Sequence, residues 1–405
     1  MVLDGVEVEV AGVEHRKVRG NGQIQSALRF FRKLVGDLTN AGFKANDYDM
    51  CVYNKTVDGK QLTVVIHVDD LKISHVDKRV VDNFISWCRS KYENFTKMKP
   101  SRGKIHDYLG VTLDYSEPGK VKLHMHDYIK SVLKEFPYQE ELKKTKSPKT
   151  PAAEHLFQID PDAVPLDKEK ADVFHTTVAK LLFLTMRTRP DLQPTVPFLC
   201  TRVQKPDVDD FKKLLRALKW LEKTWKFVLT IEVTRDGEVI LVCWFPDAAF
   251  AVHVDFKSHT GGTGTMGKGV IKSISCKQKL NTKSSTEAEL VAADDVVPSA
   301  LWTRLFLLSQ GYKSKTTLFQ DNTSTILLEK NGTKSSSKRT RHLNIRYFFI
   351  TDCYSKDLLG IEHCSTENMQ GDYPSKPLQG KPFEKHLLSI MNVTEEVFKA
   401  IMNGS

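Results

Sequence analysis

Four acidic residues stand where an apolar run ends or a helix begins, and this placement constrains the chain more than any other feature. Asp247 ends the run VILVCWFPD, Asp321 ends TTLFQD, and Asp372 stands at the head of GDYPSKPL. Glu289 lies in NTKSSTEAELVAADD, Asn281–Asp295, where Ser284 and Glu287 have the S-x-x-E spacing of a capping box and Thr286 and Glu289 repeat it. Capping alone accounts for one such box. Carboxylates at strand ends and on an adjacent helix are also what a pair of Mg²⁺ ions needs, because hard cations take oxygen ligands and several anions are tolerated together only around a cation. Two such ions ~4 Å apart can activate a water and stabilise the leaving oxygen of a phosphodiester.

The 405 residues suffice for two or three domains at ~150 residues each. The 60 Lys and Arg against 50 Asp and Glu leave a net +10, which favours a polyanionic partner. Seven scattered cysteines without a C-x-x-C pair indicate neither a zinc site nor a disulfide framework and fit a reducing compartment. No leader pattern and no run near the ~18 apolar residues of a membrane span is visible, so no membrane partner and an intracellular location, in a cytoplasmic particle or the nucleus, are expected.

In chain order, Ser26–Thr39 carries Ala27, Leu28, Phe30, Phe31, Leu34, Val35 and Leu38 at helical spacing. QLTVVIHV and LKISHV flank Asp69 and Asp70, which reads as a hairpin with two carboxylates at its tip, either solvated or metal-bound. Strands follow at Tyr108–Asp114 and Val121–Leu123, then a helix with Ile129, Val132, Leu133 and Phe136 on one face. The segment KKTKSPKTP, Lys143–Pro151, reads as a linker or a phosphate-facing loop, and helical patterns follow from Asp172. From a hairpin at Asp236-Gly237 the order is strand, Gly-rich strand, strand, helix, strand, helix and basic loop, an α/β layer fold. Pro298 should kink or split the helix Thr286–Leu308. Lys334, Lys338, Arg339, Arg341 and Arg346 form a basic run that is either a solvated face or a phosphate clamp, and His363 is a candidate proton carrier.

These motifs, taken in order, resemble the C-terminal part of a copia-type retrotransposon Pol polyprotein, reverse transcriptase followed by ribonuclease H. The residues carrying the resemblance are GQIQSALRFFRKL, HVDDLKISH, YLGV and TRPDL, then SHTGG, KQKLNTKSSTEAELVAADD, QDNTS, KRTRHLNIRYFF and GDYPSKPLQGK. The resemblance runs from about Gly22 to near the C-terminus. It implies an α+β and α/β fold: a partial palm over 1–145, a helical thumb-like subdomain over 146–235, a ribonuclease H-like domain over 236–380 and a tail over 381–405. It implies that Asp247, Glu289, Asp321 and Asp372 bind Mg²⁺, with Mn²⁺ as the alternative, that Asp69 and Asp70 are the polymerase hairpin pair, with Asp69 a metal ligand, and that Gly22 and Gln25 face template and nucleotide. The implied partners are an RNA/DNA hybrid, a template-primer and the rest of a Pol polyprotein or an integrase.

The chain departs from the family pattern in three ways. The family's further palm aspartate lies upstream of the Gly22 helix, and Asp4 does not sit in that motif. The fingers are not recognisable either, so cleavage of the RNA strand of a hybrid is expected to survive and polymerisation to be lost. Pro246 and Gly371 stand beside Asp247 and Asp372 where other small or apolar residues are more usual, which is expected to loosen the site. The alternatives are a nucleic-acid-binding remnant without catalysis, and a transposase or integrase of the same nuclease fold.

Overall fold

A computed structural model describes residues 7–13, 23–68, 70–93, 98–332 and 344–404. The chain divides into two compact units, 1–122 with 305–313, and 123–304 with 314–405. Among the described residues no helix is long and apolar enough to cross a membrane.

The first unit runs β1 (Glu7–Val13), α1 (Gln23–Asn40), β2 (Lys44–Asn46), β3 (Asp49–Val57), β4 (Lys60–His67), β5 (Asp70–His75), α2 (Lys78–Tyr92) and β6 (Met98–Ser101). Its sheet has the order β2-β3-β4-β5-β1-β6. Alternation in β4 and β5 turns Leu62, Val64, Ile66, Leu71 and Ile73 to one face, where they share a core with Leu34 and Leu38 of α1 and Val81, Phe84, Ile85 and Cys88 of α2. Asp37 of α1 accepts from the Tyr92 hydroxyl of α2 at 2.6 Å, joining the two helices. The hairpin expected around the acidic pair is present, with His67 opposite Asp70. Helix α2 escaped the sequence reading although its signals are there: Asp77 accepts from the Arg79 amide at 2.8 Å as an N-cap, and its apolar residues recur at helical spacing. A second hairpin, β7 (Ile105–Tyr108) and β8 (Val111–Asp114), turns on Leu109 and Gly110, both at positive φ.

Strand β9 (Lys120–His124) leads into the second unit. Its first helices are α3 (His126–Glu135), α4 (Gln139–Lys144), α5 (Lys168–Thr185), α6 (Thr195–Cys200) and α7 (Val208–Lys223). Strands β10 (Leu229–Val233), β11 (Arg235–Asp236), β12 (Val239–Ala249), β13 (His259–Thr265), β14 (Gly267–Lys268) and β15 (Val270–Lys277) precede α8 (Ser285–Ser309). Then come β16 (Ser314–Gln320), α9 (Thr323–Asn331), α10 (Asn344–Ser355), β17 (Gly360–His363), α11 (Asp372–Ser375), α12 (Gly380–Met391) and α13 (Glu395–Asn403). The main sheet has the order β15-β13-β12-β16-β17, antiparallel through β15, β13 and β12 and parallel through β12, β16 and β17. The strand and helix order expected from the sequence holds.

Four expectations are corrected or redrawn. Helix α8 is not split at Pro298; Val296, Val297 and Ala300 around it are buried, and that burial outweighs the lost helix hydrogen bond. Segment 143–151 is no free linker: Arg216 donates to the Thr150 carbonyl at 3.1 Å and to its hydroxyl at 2.9 Å, and the Gln379 amide donates to the Ala152 carbonyl at 2.9 Å. Residues 381–405 form no tail, since α12 and α13 bury Phe383, Leu387, Ile390 and Phe398, with Phe383 edge-on to Trp220 at 5.5 Å. The helices of 146–235 and the strands after them fall in one unit. The end of α7 packs on a fully buried ion pair, in which Arg189 donates twice to Asp191 at 2.7 Å and also reaches the Thr224 hydroxyl and carbonyl. Asp191 further accepts from the Trp220 indole at 2.8 Å, so each side-chain nitrogen and carboxylate oxygen of the pair has a partner.

Candidate nuclease site

Strand β13, HTGGTGT, is buried along its whole length, and its glycines let neighbours approach. A Cβ on Gly261 would lie 2.5 Å from the Gly371 carbonyl and 2.6 Å from Ser375, and one on Gly262 would lie 2.4 Å from Val296 of α8. Gly371 repays the approach, since a Cβ there would meet the Phe245 carbonyl at 2.4 Å and the Asp247 Cβ at 2.9 Å. The loosening expected from Gly371 is therefore not what the backbone shows: glycine is what allows residue 372 to be pressed against strand β12. Pro246 sits two residues past the last β12–β16 pair, Trp244 with Leu318, so its missing amide falls where that ladder has ended. On the other side of the sheet Ala248, Ala288 and Ala292 pack together and bring α8 close to β12.

This packing sets four carboxylates within electrostatic reach of one another. Asp247 (3% exposed) and Asp372 (8%) are buried, while Glu289 on α8 and Asp321 just past β16 are half-buried. Burial, with the charges of Asp321 and Asp247, pushes Glu289 up to about 7 against an opposing hydrogen bond from the Thr325 hydroxyl at 3.0 Å. Burial and Asp247 push Asp372 up to about 7, against Lys376. Burial raises the Cys364 thiol to about 11, and the charges of Asp321 and Asp372 both add to the rise. Asp321 accepts from the Thr366 hydroxyl at 3.1 Å.

A cation already stands among these acids. Lys376 donates to Asp372 Oδ1 at 2.7 Å and lies 3.1 Å from Asp247 Oδ2, while the Ser375 hydroxyl donates to Asp247. Burial works against its charge, yet Asp247 and Asp372 outweigh this and hold it above the ordinary lysine range. Neither Ser375 nor Lys376 was singled out from the sequence, although both lie inside the motif GDYPSKPL. Thr325 and Asn322 were also missed. Asn322 caps α9 through the Ser324 amide at 2.9 Å and aims Thr325 at Glu289.

Two buried polar groups back the site. Glu329 of α9 is fully buried; Gln320, the residue before Asp321, donates to its Oε1 at 3.0 Å, and its Oε2 has no partner among the described residues. Burial and the Glu289 charge lift it to about 8, so it stays protonated at neutral pH. On the far side of β13, His253 and His259 are 3.1 Å apart, His259 meets the Ser275 hydroxyl at 2.8 Å, and Ser275 donates to the Pro374 carbonyl at 2.7 Å. Burial keeps both imidazoles neutral, at about 4 and about 3. These bonds fix the turn carrying Asp372.

Asp70 opens β5 in the first unit, and Asp69 lies outside the described residues, as do Gly22, Lys334, Lys338, Arg339 and Arg341. Gln25 and Arg346 lie in α1 and α10, with their side chains outside the described set. His363 ends β17 beside Gln320 of β16 and is exposed.

Whether the donors suit Mg²⁺ can be tested on their chemistry. Four carboxylates supply only oxygen, and two are lifted toward neutrality by burial and mutual repulsion, a strain a divalent cation removes. Among the described residues no three His, Cys, Asp or Glu side chains already close on one point at ion-holding distance. The set fits the ion in donor type.

Residues 17–152 match the model of the family described as reverse transcriptase (RNA-dependent DNA polymerase). Over 388 residues the chain is 26% identical to a retrovirus-related Pol polyprotein from transposon TNT 1-94 of Nicotiana tabacum, covering 93% of this chain and 28% of that protein. Over 357 residues it is 24% identical to a truncated transposon Ty1-A Gag-Pol polyprotein of Saccharomyces cerevisiae, covering 82% of this chain and 28% of the other. The chain thus spans little more than a quarter of the curated relatives it matches. Among solved structures, a foamy viral protease-reverse transcriptase in complex with RNA/DNA hybrid matches with a TM-score of 0.51 at 10% identity, over 89% of this chain and 44% of that one. That likeness is one of mixed α and β fold.

Proposed function

For a chain of the copia-type retrotransposon Pol family, we propose that the second unit cleaves the RNA strand of an RNA/DNA hybrid by Mg²⁺-dependent hydrolysis. The observation that carries this reading is that Asp247 of β12 and Asp321 just past β16 both act electrostatically on Glu289 of α8 and on Asp372 of α11, with the latter two pushed up to about 7. Mg²⁺, when bound, supplies a water of lowered pKa and a Lewis acid for the leaving oxygen.

The chain's residues do the rest. Asp247, fixed by the Ser375 hydroxyl, and Asp372, fixed by the turn beneath it, present oxygens from opposite sides of a close backbone contact. Glu289, kept aimed by the Thr325 hydroxyl, would offer its carboxylate to the ion in ionised form. Asp321, oriented by Thr366, completes the set. Recognition of the hybrid rests on its shape and its 2′-hydroxyls, and the net +10 charge of the chain favours such a polyanion. His363 is exposed, and a proton-carrying role for it is part of the proposal. Loss of DNA synthesis is a further part of the proposal, tested separately from cleavage.

The test is cleavage of end-labelled RNA in a hybrid with and without Mg²⁺, beside primer extension on a primed RNA template. The expected result is Mg²⁺-dependent, hybrid-specific cleavage that Asp321→Asn reduces ~100-fold or more, with no extension. A folded, hybrid-binding protein without turnover would leave a nucleic-acid-binding role, and cleavage of duplex DNA in preference to hybrid would point to a transposase-like activity.

A further inference from the structure

Asp247 and Asp372 are buried carboxylates whose backbones are forced together by glycine, with Gly371 against the Asp247 Cβ and the Phe245 carbonyl. Two such anions in a poorly hydrated site repel strongly unless a cation stands between them. The chain provides one at a fixed offset. Asp372 begins the short helix α11, Lys376 closes it by donating its amide to the Asp372 carbonyl at 3.0 Å, and its ammonium turns back to 2.7 Å from Asp372 and 3.1 Å from Asp247.

We propose that Lys376 is a built-in counter-cation, holding Asp247 and Asp372 in place before a divalent ion arrives and being displaced when one binds. The inference rests on the metal-dependent reading above. The ammonium and a divalent ion draw on the same carboxylate oxygens and repel each other, so loading the site is an exchange of cations. Lys376 thereby keeps the metal-free site folded at the expense of metal affinity. It acts through the two aspartates and is a positioning residue.

The experiment compares wild type, Lys376→Met and Lys376→Arg by thermal melting without metal and by calorimetric titration with Mg²⁺ in mildly alkaline buffer, where the carboxylates are ionised. Lys376→Met is expected to melt several degrees lower without metal, to gain more from saturating Mg²⁺, and to bind Mg²⁺ roughly threefold or more tightly. Lys376→Arg, which keeps a cation in reach, is expected to stay near wild type in the metal-free melt. Unchanged metal-free melting, or Mg²⁺ binding in Lys376→Met that is unchanged or weaker, overturns the proposal, as does an absence of Mg²⁺ binding in both proteins. Loss of hybrid cleavage with this pattern of binding intact would instead count against the nuclease reading and leave the counter-cation standing.

Discussion

Glu329 shows what one side chain does here. It is protonated in both folded and unfolded chains at low pH, so it costs nothing there. As pH rises past the ordinary glutamate value the unfolded chain ionises first, and the folded chain follows only at about 8. Its contribution is therefore fully present below about 4.5 and falls away through the interval up to about 8. Glu329→Gln keeps the shape and removes the proton: the variant should match wild type at about pH 5 and exceed it by roughly 3–5 kcal/mol at about pH 9, read from denaturant melts. Equal stability at both pH values would show that the carboxyl is not held neutral. Neither Glu329 nor Lys376 was legible as a site residue. The partners that give them meaning, Gln320 and Asp247, are nine and more than a hundred positions away, and only the folded sheet joins them. The placement of Glu289 on a helix and of Asp321 just past a strand was legible because strand ends and a capped helix start leave a pattern in the sequence itself.

At the scale of elements, motifs read as functional proved to be architectural as well. TRPDL, one of the motifs that carry the family resemblance, buries Arg189 and Asp191 completely and ties itself to α7 through Trp220 and Thr224. Removing one member strands the other without solvent, so Asp191→Ala should cost ~3–5 kcal/mol in equilibrium unfolding, whereas exposed pairs such as Lys143–Glu140 should cost little. A loss below about 1 kcal/mol would mean that water reaches Arg189. The order of strands and helices in the second unit was readable from alternation and Gly punctuation. Helix α2 and strand β1 were not singled out, although the period of one and the alternation of the other are present. The continuity of α8 through Pro298 was unreadable because burial of Val296, Val297 and Ala300 decides it.

For the molecule as a whole, the division into compact units follows buried contacts more than composition. A Pro-punctuated basic run looked like a boundary, yet Arg216 and Gln379 pin its end, and the 26% and 24% identical relatives match straight across it. Those pins bear on how the chain meets a protease. Lys143, Lys144, Lys146 and Lys149 offer trypsin four successive exposed side chains, and in an open linker this would be the first stretch cut. A bond is cleaved only when its backbone can leave its neighbours and stretch through the enzyme's cleft, and Thr150 is held by both its carbonyl and its hydroxyl. The peptide after Lys149 should therefore survive native digestion and yield only as the whole unit unfolds, with mass spectrometry of timed digests as the readout.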